Sequence, residues 1–263
     1  MDILDKIIAF KRDEVKVKKM LYPVSKLEDS VFFRRQMPSF YEALAKPEPS
    51  IIGEFKRKSP SKGVINFTAD VEQVAREYQE AGIAAISILT DKEYFGGENH
   101  DLQKVAGFIK IPLLRKDFIV DEYQVIESKS IGASAVLLIA TVLSKKEVSR
   151  LTELVLNLGM DILFEIHDEK DLDKMNPEIK IIGINNRNLK TFEVSMDNSR
   201  DLFHHLPLNC IKVAESGFQT YKEVIKLFTT GYNAFLIGGE FMRSKNPGET
   251  AARFIKDLKK SMG

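Results

Sequence analysis

The residues best suited to chemistry lie in the stretch IIGEFKRKSPSKG, residues 51–63. Apolar residues lead into alternating Glu54, Phe55 and Lys56, and period-2 alternation places Glu54 and Lys56 on one face of a strand. Because the proline after Ser59 donates no backbone hydrogen bond and restricts the residue before it, we expect the strand to run up to Lys56 and stop in a loop at Ser59. A carboxylate beside an ammonium at a strand end indicates either an active site or an ordinary ion pair.

The rest of the chain repeats this kind of strand. Apolar strand-like runs lie near 51–56, 84–89, 111–115, 135–140, 161–166, 180–185, 210–214 and 233–238. Most are separated by helical patterns, and many are continuous, which is typical of parallel strands buried on both faces. Eight such strands predict an α/β protein with a (β/α)8 TIM barrel. The sequence contains neither a G-x-G-x-x-G string nor a P-loop, either of which would favour a doubly wound sheet.

The barrel is predicted to be the only domain, spanning 1–263. Residues 51–263 form the barrel, and residues 1–50 form an N-terminal helical extension. Helical spacing of apolar residues predicts helices at about 3–19, with Asp2 as N-cap, and near 39–46. We expect the extension to help enclose the substrate.

Composition excludes several classes of protein. A net charge of +1 favours neither nucleic acid nor an anionic membrane as partner. No apolar run approaches the roughly 20 residues that span a bilayer, and the N-terminus does not resemble a signal peptide. The single cysteine, Cys210, excludes an intramolecular disulfide and favours a reducing, cytoplasmic location. The histidines have no metal-ligand spacing, so we predict no metal.

Charged residues end alternate strands of the predicted barrel, where the active site of this fold lies. They are Glu54 and Lys56 on the first strand, Lys116 on the third, Glu165 on the fifth and Glu215 on the seventh. Buried charges are tolerated only in pairs or networks, so structural ion pairs remain the alternative. Partial burial would loosen the proton of Lys116, as a general acid requires, and apolar neighbours would hold Glu165 as a base.

Small residues follow the last two strands. Ser216-Gly217 and Gly238-Gly239 lie where this fold often binds phosphate, and glycine lets backbone N–H groups approach an anion. Ordinary tight turns are the alternative.

Taken together, these segments resemble the indole-3-glycerol phosphate synthase family of tryptophan biosynthesis. The resemblance runs from about residue 51 to the C-terminus, and the N-terminal helices fit it too. It rests on IIGEFKRKSPSKG, LTDKEYFGG, LLRKDFIVDEYQ, VLLIA, GINNRNL, VAESG and NAFLIGG, in that order.

The resemblance implies a carboxy-lyase that needs no cofactor. It would convert 1-(2-carboxyphenylamino)-1-deoxyribulose 5-phosphate to indole-3-glycerol phosphate, with loss of CO₂ and water. Lys116 would protonate the ketone oxygen, Lys56 would hold the substrate carboxylate and assist the dehydration, and Glu165 would take a proton later. Glu54 and Asn185 would orient the ring nitrogen and the hydroxyl.

The resemblance also implies binding residues. The apolar pocket for the anthranilate ring would be Phe95, Phe118 and Leu137, with Arg187, Leu189, Glu215 and Ser216 completing the substrate site. The phosphate would contact Ser59, Gly217, Gly238 and Gly239. Relatives often carry serine at the position of Gly239, but only its backbone N–H is expected to act.

Other interpretations stay open. A phosphoribosylanthranilate isomerase would want a cysteine base where Glu54 and Lys56 stand. A Schiff-base aldolase would use a barrel lysine such as Lys116, and a non-catalytic barrel would only bind a phosphorylated ligand. The expected partner is a small phosphorylated substrate, with no nucleic acid and no membrane. A homodimer and an association with other enzymes of tryptophan biosynthesis are both compatible with the sequence.

Overall fold

The computed structural model describes residues 2–188 and 191–263 and contains eight parallel strands that close into a barrel. The strands are β1 Ser50–Phe55, β2 Ala85–Leu89, β3 Leu113–Lys116, β4 Ala135–Ile139, β5 Asp161–Ile166, β6 Ile181–Asn185, β7 Ile211–Glu215 and β8 Ala234–Ile237. Consecutive strands pair in order, and β8 pairs back with β1, with Phe235 opposite Ile51. The predicted TIM barrel is confirmed.

Helices alternate with the strands around the barrel. They are α1 Ile3–Leu21, α2 Val24–Glu28, α3 Phe40–Leu44, α4 Val71–Ala81, α5 Lys92–Phe95, α6 Asn99–Ala106, α7 Glu122–Ser130, α8 Lys145–Asn157, α9 Asp197–Phe203, α10 Tyr221–Phe228, α11 Gly239–Met242 and α12 Pro247–Met262, with a 3₁₀ helix at Glu169–Lys174. The predicted first helix is confirmed, and Asp2 caps it by accepting from the backbone N–H of Asp5 at 2.9 Å. Helix α2 was not predicted. None of the helices described here is long and apolar enough to cross a membrane.

The strands are buried on both faces because two apolar layers enclose them. The outer layer joins strands to helices, as where Val74 and Tyr78 of α4 pack into the core. Helix α4 ends at Gly82, whose φ of +86° gives the left-handed turn into β2 without strain from a Cβ. The inner layer fills the barrel, which is why its strands read as continuous apolar runs.

The N-terminal extension contributes to that inner layer. Phe40 and Leu44 of α3 are fully buried in it, together with Ile7 of α1. Asp161, at the start of β5, anchors α3 by accepting from the backbone N–H of Phe40 at 2.8 Å and of Tyr41 at 2.9 Å. The extension is therefore packed against the barrel rather than loosely attached to it.

Helix α1 also reaches the C-terminal ends of the strands through a buried lysine. Lys11 is 1% exposed, and its Nζ lies 2.8 Å from Asp91 Oδ2 and 3.0 Å from Asp117 Oδ1. Asp91 caps α5 by accepting from the backbone N–H of Tyr94 at 2.7 Å. Asp117 directly follows β3. Lys11 thus ties the extension to two loops at the functional end of the barrel.

The first strand departs from expectation at its end. Strand β1 ends at Phe55, and Lys58–Ser59 then pairs with Gly63–Val64 as a short antiparallel hairpin. The prediction of a strand up to Lys56 and a loop at Ser59 is wrong in this detail. The proline after Ser59 lies between the paired segments of the hairpin, where its missing donor leaves no ladder bond unmade.

Candidate active site

A cavity of about 400 Å³ opens at the C-terminal ends of the barrel strands. Each predicted site residue that the structure describes borders it: Glu54, Lys56, Ser59, Phe95, Lys116, Phe118, Leu137, Glu165, Asn185, Arg187, Glu215, Ser216, Gly217, Gly238 and Gly239. Leu189 lies outside the described residues. No residue from 2–50 borders the cavity, so enclosure of the substrate by the extension stays a prediction. The extension packs against the start of β5 through α3 and contacts the loops after β2 and β3 through Lys11.

Lys116 borders the cavity and lies between two acidic side chains. Its Nζ is 2.9 Å from Glu165 Oε2 and 3.1 Å from Glu215 Oε2. The lysine side chain is 12% exposed, and each carboxylate side chain is 1% exposed. With Glu54 of β1, these residues of β3, β5 and β7 come from alternate strands, whose inward side chains form one layer of a barrel. The strand order explains why they meet.

The charges of this cluster set one another's proton affinity. Burial alone would lower the pKa of Lys116, but Glu165, Glu215 and Glu54 outweigh it and hold the pKa above its ordinary 10.5. Burial would raise the pKa of Glu165, but Lys116 and then His167 hold it below the ordinary 4.5. Burial raises the pKa of Glu215, and the neighbouring charge of Glu165 adds to it against Lys116. The expectation that burial loosens the proton of Lys116 is wrong, because two buried carboxylates share that ammonium.

Glu54 and Lys56 form the second ion pair of the cavity. Lys56 Nζ donates to Glu54 Oε1, and the two side chains are 20% and 6% exposed. Phe55 points away from them into the outer apolar layer, as the period-2 pattern predicts. Gly238 of the last loop packs against the same carboxylate, since a Cβ on it would lie 2.5 Å from Glu54 Oε1.

Strand β6 brings polar groups to the same rim. The side chain of Asn185 forms a hydrogen bond with Glu165, and its Oδ1 accepts from the backbone N–H of Arg187 at 3.0 Å. Arg187 donates from Nη1 to the carbonyl oxygen of Phe192 at 3.0 Å, and both residues border the cavity. Burial lowers the pKa of Arg187, opposed by Glu54.

One wall of the cavity is apolar. The rings of Phe95 and Phe118 lie 6.0 Å apart with a tilt of 41°. Leu137 of β4 is 2% exposed and belongs to the same packed cluster as Phe118. This wall suits a flat aromatic ring, because aromatic groups pack well against tilted rings.

The opposite end of the cavity is built from small residues. Ser216 and Gly217 both have left-handed backbones, with φ of 69° and 95°. A side chain at Gly217 would lie 2.8 Å from Met196 Sδ, so only glycine fits there. Gly238 is the N-cap of the short helix α11, and Gly239 is its first residue. Backbone N–H groups are therefore open to an anion at the place where this fold often binds phosphate.

Sequence reasoning missed residues that shape this end. Asn186 is 2% exposed and donates from Nδ2 to the carbonyl oxygen of Ser216 at 3.1 Å, which holds the strained left-handed turn. Its position directly after a strand end was the available signal. Lys62 also borders the cavity, together with Arg243. Burial, Arg243 and Arg187 lower the pKa of Lys62, which indicates a group of cations with too little negative charge nearby.

The cavity has no built metal site. Within residues 2–188 and 191–263, no cluster of three His, Cys, Asp or Glu side chains has the arrangement of metal ligands. Lys116, Glu165 and Glu215 can instead donate and accept protons directly. The fold and this cavity define a (β/α)8 barrel with a buried cluster of acidic and basic side chains, an apolar wall and an end built from small residues.

Comparison with known proteins identifies the family. Residues 4–255 match the sequence model of indole-3-glycerol phosphate synthase. The indole-3-glycerol phosphate synthase of Bacteroides thetaiotaomicron is 42% identical over 257 residues, covering 98% of this chain and 99% of that protein. The one from Salinibacter ruber is 41% identical over 263 residues, covering 99% and 97%. The chain belongs to the indole-3-glycerol phosphate synthase family.

More distant solved structures share only the fold. KGPDC from Streptococcus mutans superposes with a TM-score of 0.61 at 10% identity, covering 82% of this chain and 100% of that one. A chain of the tryptophan synthase a2b2 complex from Pyrococcus furiosus superposes with a TM-score of 0.58 at 12% identity, covering 80% and 98%.

Proposed function

We propose that this protein closes the indole ring of indole-3-glycerol phosphate. Its substrate is 1-(2-carboxyphenylamino)-1-deoxyribulose 5-phosphate, which loses CO₂ and water in the reaction. The observation that carries the proposal is the Lys116–Glu165–Glu215 cluster between an apolar wall and an anion-binding end, in a chain of this family. The whole chain acts as one unit, with the extension supporting the barrel, and its single cysteine favours the cytoplasm.

The distribution of polarity orients the substrate. The anthranilate ring lies against Phe95, Phe118 and Leu137, and the phosphate lies at Ser59, Gly217 and the α11 end: Gly238 and Gly239. This places the ketone carbon near the centre, within reach of Lys116. Orientation of this kind contributes up to about 7–11 kcal/mol when reacting atoms are held close.

Ring closure needs a proton at the ketone oxygen. As the aromatic carbon attacks the carbonyl, the oxygen becomes an alkoxide, and Lys116 gives it a proton. Glu165 keeps this lysine protonated until that moment, because its charge contributes most to raising the pKa of Lys116. The same raised pKa disfavours a Schiff-base aldolase, since imine formation requires a neutral amine.

Decarboxylation and dehydration complete the reaction. Attack by the ring carbon breaks the aromaticity of the ring, and expulsion of CO₂ restores it. The apolar wall favours this step, because it accommodates neutral CO₂ better than the charged carboxylate. Lys56 holds the carboxylate until it leaves and assists loss of the hydroxyl. Glu165, ionised because of its lowered pKa, removes the last proton. Glu54 and Asn185 orient the ring nitrogen and the hydroxyl, while Arg187, Glu215, Ser216 and Leu189 complete the walls.

The test is turnover of the carboxyphenylamino-deoxyribulose phosphate, followed by the growth of indole fluorescence. We expect strong activity in wild type and a loss of about 10²–10⁴-fold in kcat for Lys116→Met, the range typical of general acid catalysis. Lys16→Met is the matched control, because Lys16 is a surface residue, 73% exposed in its ion pair with Asp13. Folded wild type that forms no indole product would reject the proposal.

A further inference from the structure

A histidine beside the acid–base cluster has no role in the proposed mechanism. His167 directly follows β5, and period-2 alternation puts it on the same side as Glu165. Its Nε2 lies 3.6 Å from Glu165 Oε1, while Glu165 Oε2 contacts Lys116. This Nε2 is buried and has no hydrogen-bond partner among the residues described. A buried polar atom left unpaired costs free energy, so its position beside a reactive carboxylate needs a reason.

The other ring nitrogen contacts a hydroxyl that can turn. His167 Nδ1 lies 3.4 Å from Thr141 Oγ1, and the same Oγ1 lies 3.2 Å from Asp171 Oδ2. When Nδ1 carries a proton, it donates to Oγ1 and the hydroxyl donates to Asp171. When Nδ1 is bare, the hydroxyl turns and donates to Nδ1. Both neutral tautomers of the imidazole are therefore accommodated, which is what a ring that passes protons requires.

His167 also borders a second, polar cavity. It has a volume of about 330 Å³ and is bordered by His167 and Asn185, so it adjoins the active site without being part of it. The charged groups around the ring are Glu165 on β5, Asp171 and Lys174 on the 3₁₀ helix, and Glu193, Asp197 and Asp201 in the second cavity. Acidic groups predominate, so this cavity favours the entry of protons. His167 thus borders this cavity, and its Nε2 lies 3.6 Å from Glu165 of the buried cluster.

The proposed reaction has a proton balance that this arrangement fits. A carboxylate anion leaves as neutral CO₂ together with neutral water, so each turnover takes up one proton from solvent. Lys116 gives one proton to the ketone oxygen and Lys56 assists loss of the hydroxyl with a second, but Glu165 recovers only one. In the orientation proposed above, the substrate lies over Lys116 for as long as it is bound. A second path would let the missing proton reach the cluster before the product leaves.

Resting on that proposed function, we propose that His167 is the proton-delivery residue of the active site. A proton from the second cavity adds to Nδ1, and the proton on Nε2 passes to Glu165 Oε1. The Glu165 carboxyl then protonates the neutral amine of Lys116, across the 2.9 Å contact at Oε2. No bond between heavy atoms changes. Imidazole performs such transfers well, because it binds and releases protons near neutral pH at two separate nitrogens.

The test compares the first turnover with later turnovers in His167→Gln. With enzyme in excess, the protons already on the cluster suffice, and we expect a first turnover within about twofold of wild type. With substrate in excess, we expect kcat to fall about tenfold or more, since a limiting proton transfer is worth about 10²–10⁴-fold. Added imidazole should restore part of that loss. His100→Gln is the matched control, because His100 lies exposed on α6.

Three other results would overturn the inference. Equal kcat in His167→Gln and wild type would show that the cluster reloads without the histidine. Equal slowing of the first and later turnovers, with no rescue by imidazole, would show that His167 only positions Glu165. Wild type that forms no indole product would overturn this inference and the proposed function together. Thr141→Val provides a second variant at an exposed residue, and it should show the same contrast between first and later turnovers in weaker form.

Discussion

Removing the ammonium of Lys11 should destabilise the protein far more than removing a surface lysine. In Lys11→Met the carboxylates of Asp91 and Asp117, each 1% exposed in its side chain, lose the cation between them. Arg115 still pairs with Asp117 at 3.1 Å, but the ion pairs described for Asp91 come from Lys11. Removing one partner of a buried ion pair costs about 3–5 kcal/mol, because the other charge stays buried without compensation. We expect a loss of that size in the free energy of unfolding.

The assay is denaturation by urea, followed by far-UV circular dichroism because the chain has no tryptophan. Lys16→Met, on the same helix, is the matched control. Its pair with Asp13 is exposed on both sides, and such surface pairs contribute about 0–1 kcal/mol.

The effect should also depend on pH. Burial would raise the pKa of Asp117, but Lys11 and Arg115 outweigh it and hold the pKa well below the ordinary 3.8. A carboxylate whose pKa is lowered by folding adds stability above its unfolded pKa, and that stability is lost as the pH falls. Lys11→Met forfeits most of it, so the gap between wild type and variant should narrow below about pH 4.

Activity should change as well, because the two carboxylates position the apolar wall. Asp91 caps the helix that carries Phe95, and Asp117 lies between Lys116 and Phe118. We expect KM to rise in Lys11→Met more than kcat falls. A variant no less stable than Lys16→Met, or a stability gap that stays constant on acidification, would refute the reasoning. It would mean that amide and hydroxyl donors satisfy both carboxylates without the lysine.

Two further predictions concern the cavity itself. Glu215→Gln should lower kcat yet stabilise the fold at neutral pH. Burial raises the pKa of Glu215 in the folded state, so the wild type loses stability as the pH rises above the ordinary pKa of 4.5. The glutamine amide does not ionise, so the variant escapes this loss. Urea denaturation of both proteins at pH 5 and pH 8 checks this. A variant whose stability relative to wild type is the same at both pH values would contradict it. Gly238→Ala should reduce kcat/KM by about 10²-fold, because its Cβ would displace Glu54 from 2.5 Å. Gly239→Ala should be nearly silent, since its Cβ would approach nothing closer than Lys62 Nζ at 3.9 Å; equal kinetics in the two variants would count against the reading.

Much of the architecture was predictable from sequence because it depends on periodicity. Continuous apolar runs separated by helical patterns allow few folds, and the barrel then places all strand ends together. The predicted site residues that the structure describes therefore border one cavity, although the prediction used no distances. Lys116, Glu165 and Glu215 meet because alternate strands point into the same layer, a consequence of topology alone.

What the sequence did not reveal depends on contacts between distant segments. The pKa of Lys116 was predicted to fall, because the apolar residues of its own strand indicate burial. The structure gives a raised pKa, because acidic side chains on strands about 50 and 100 residues further on outweigh burial. Lys11 reads as one more lysine of a surface helix until its neighbours are known. His167 carries no motif, and only its 3.6 Å approach to Glu165 and the polar cavity behind it distinguish the ring from a surface histidine. The balance of charges inside the barrel depends on the whole layer of inward-facing side chains. The residues that shift one another's pKa are therefore found from geometry, whereas the residues that react can be found from their place at the strand ends.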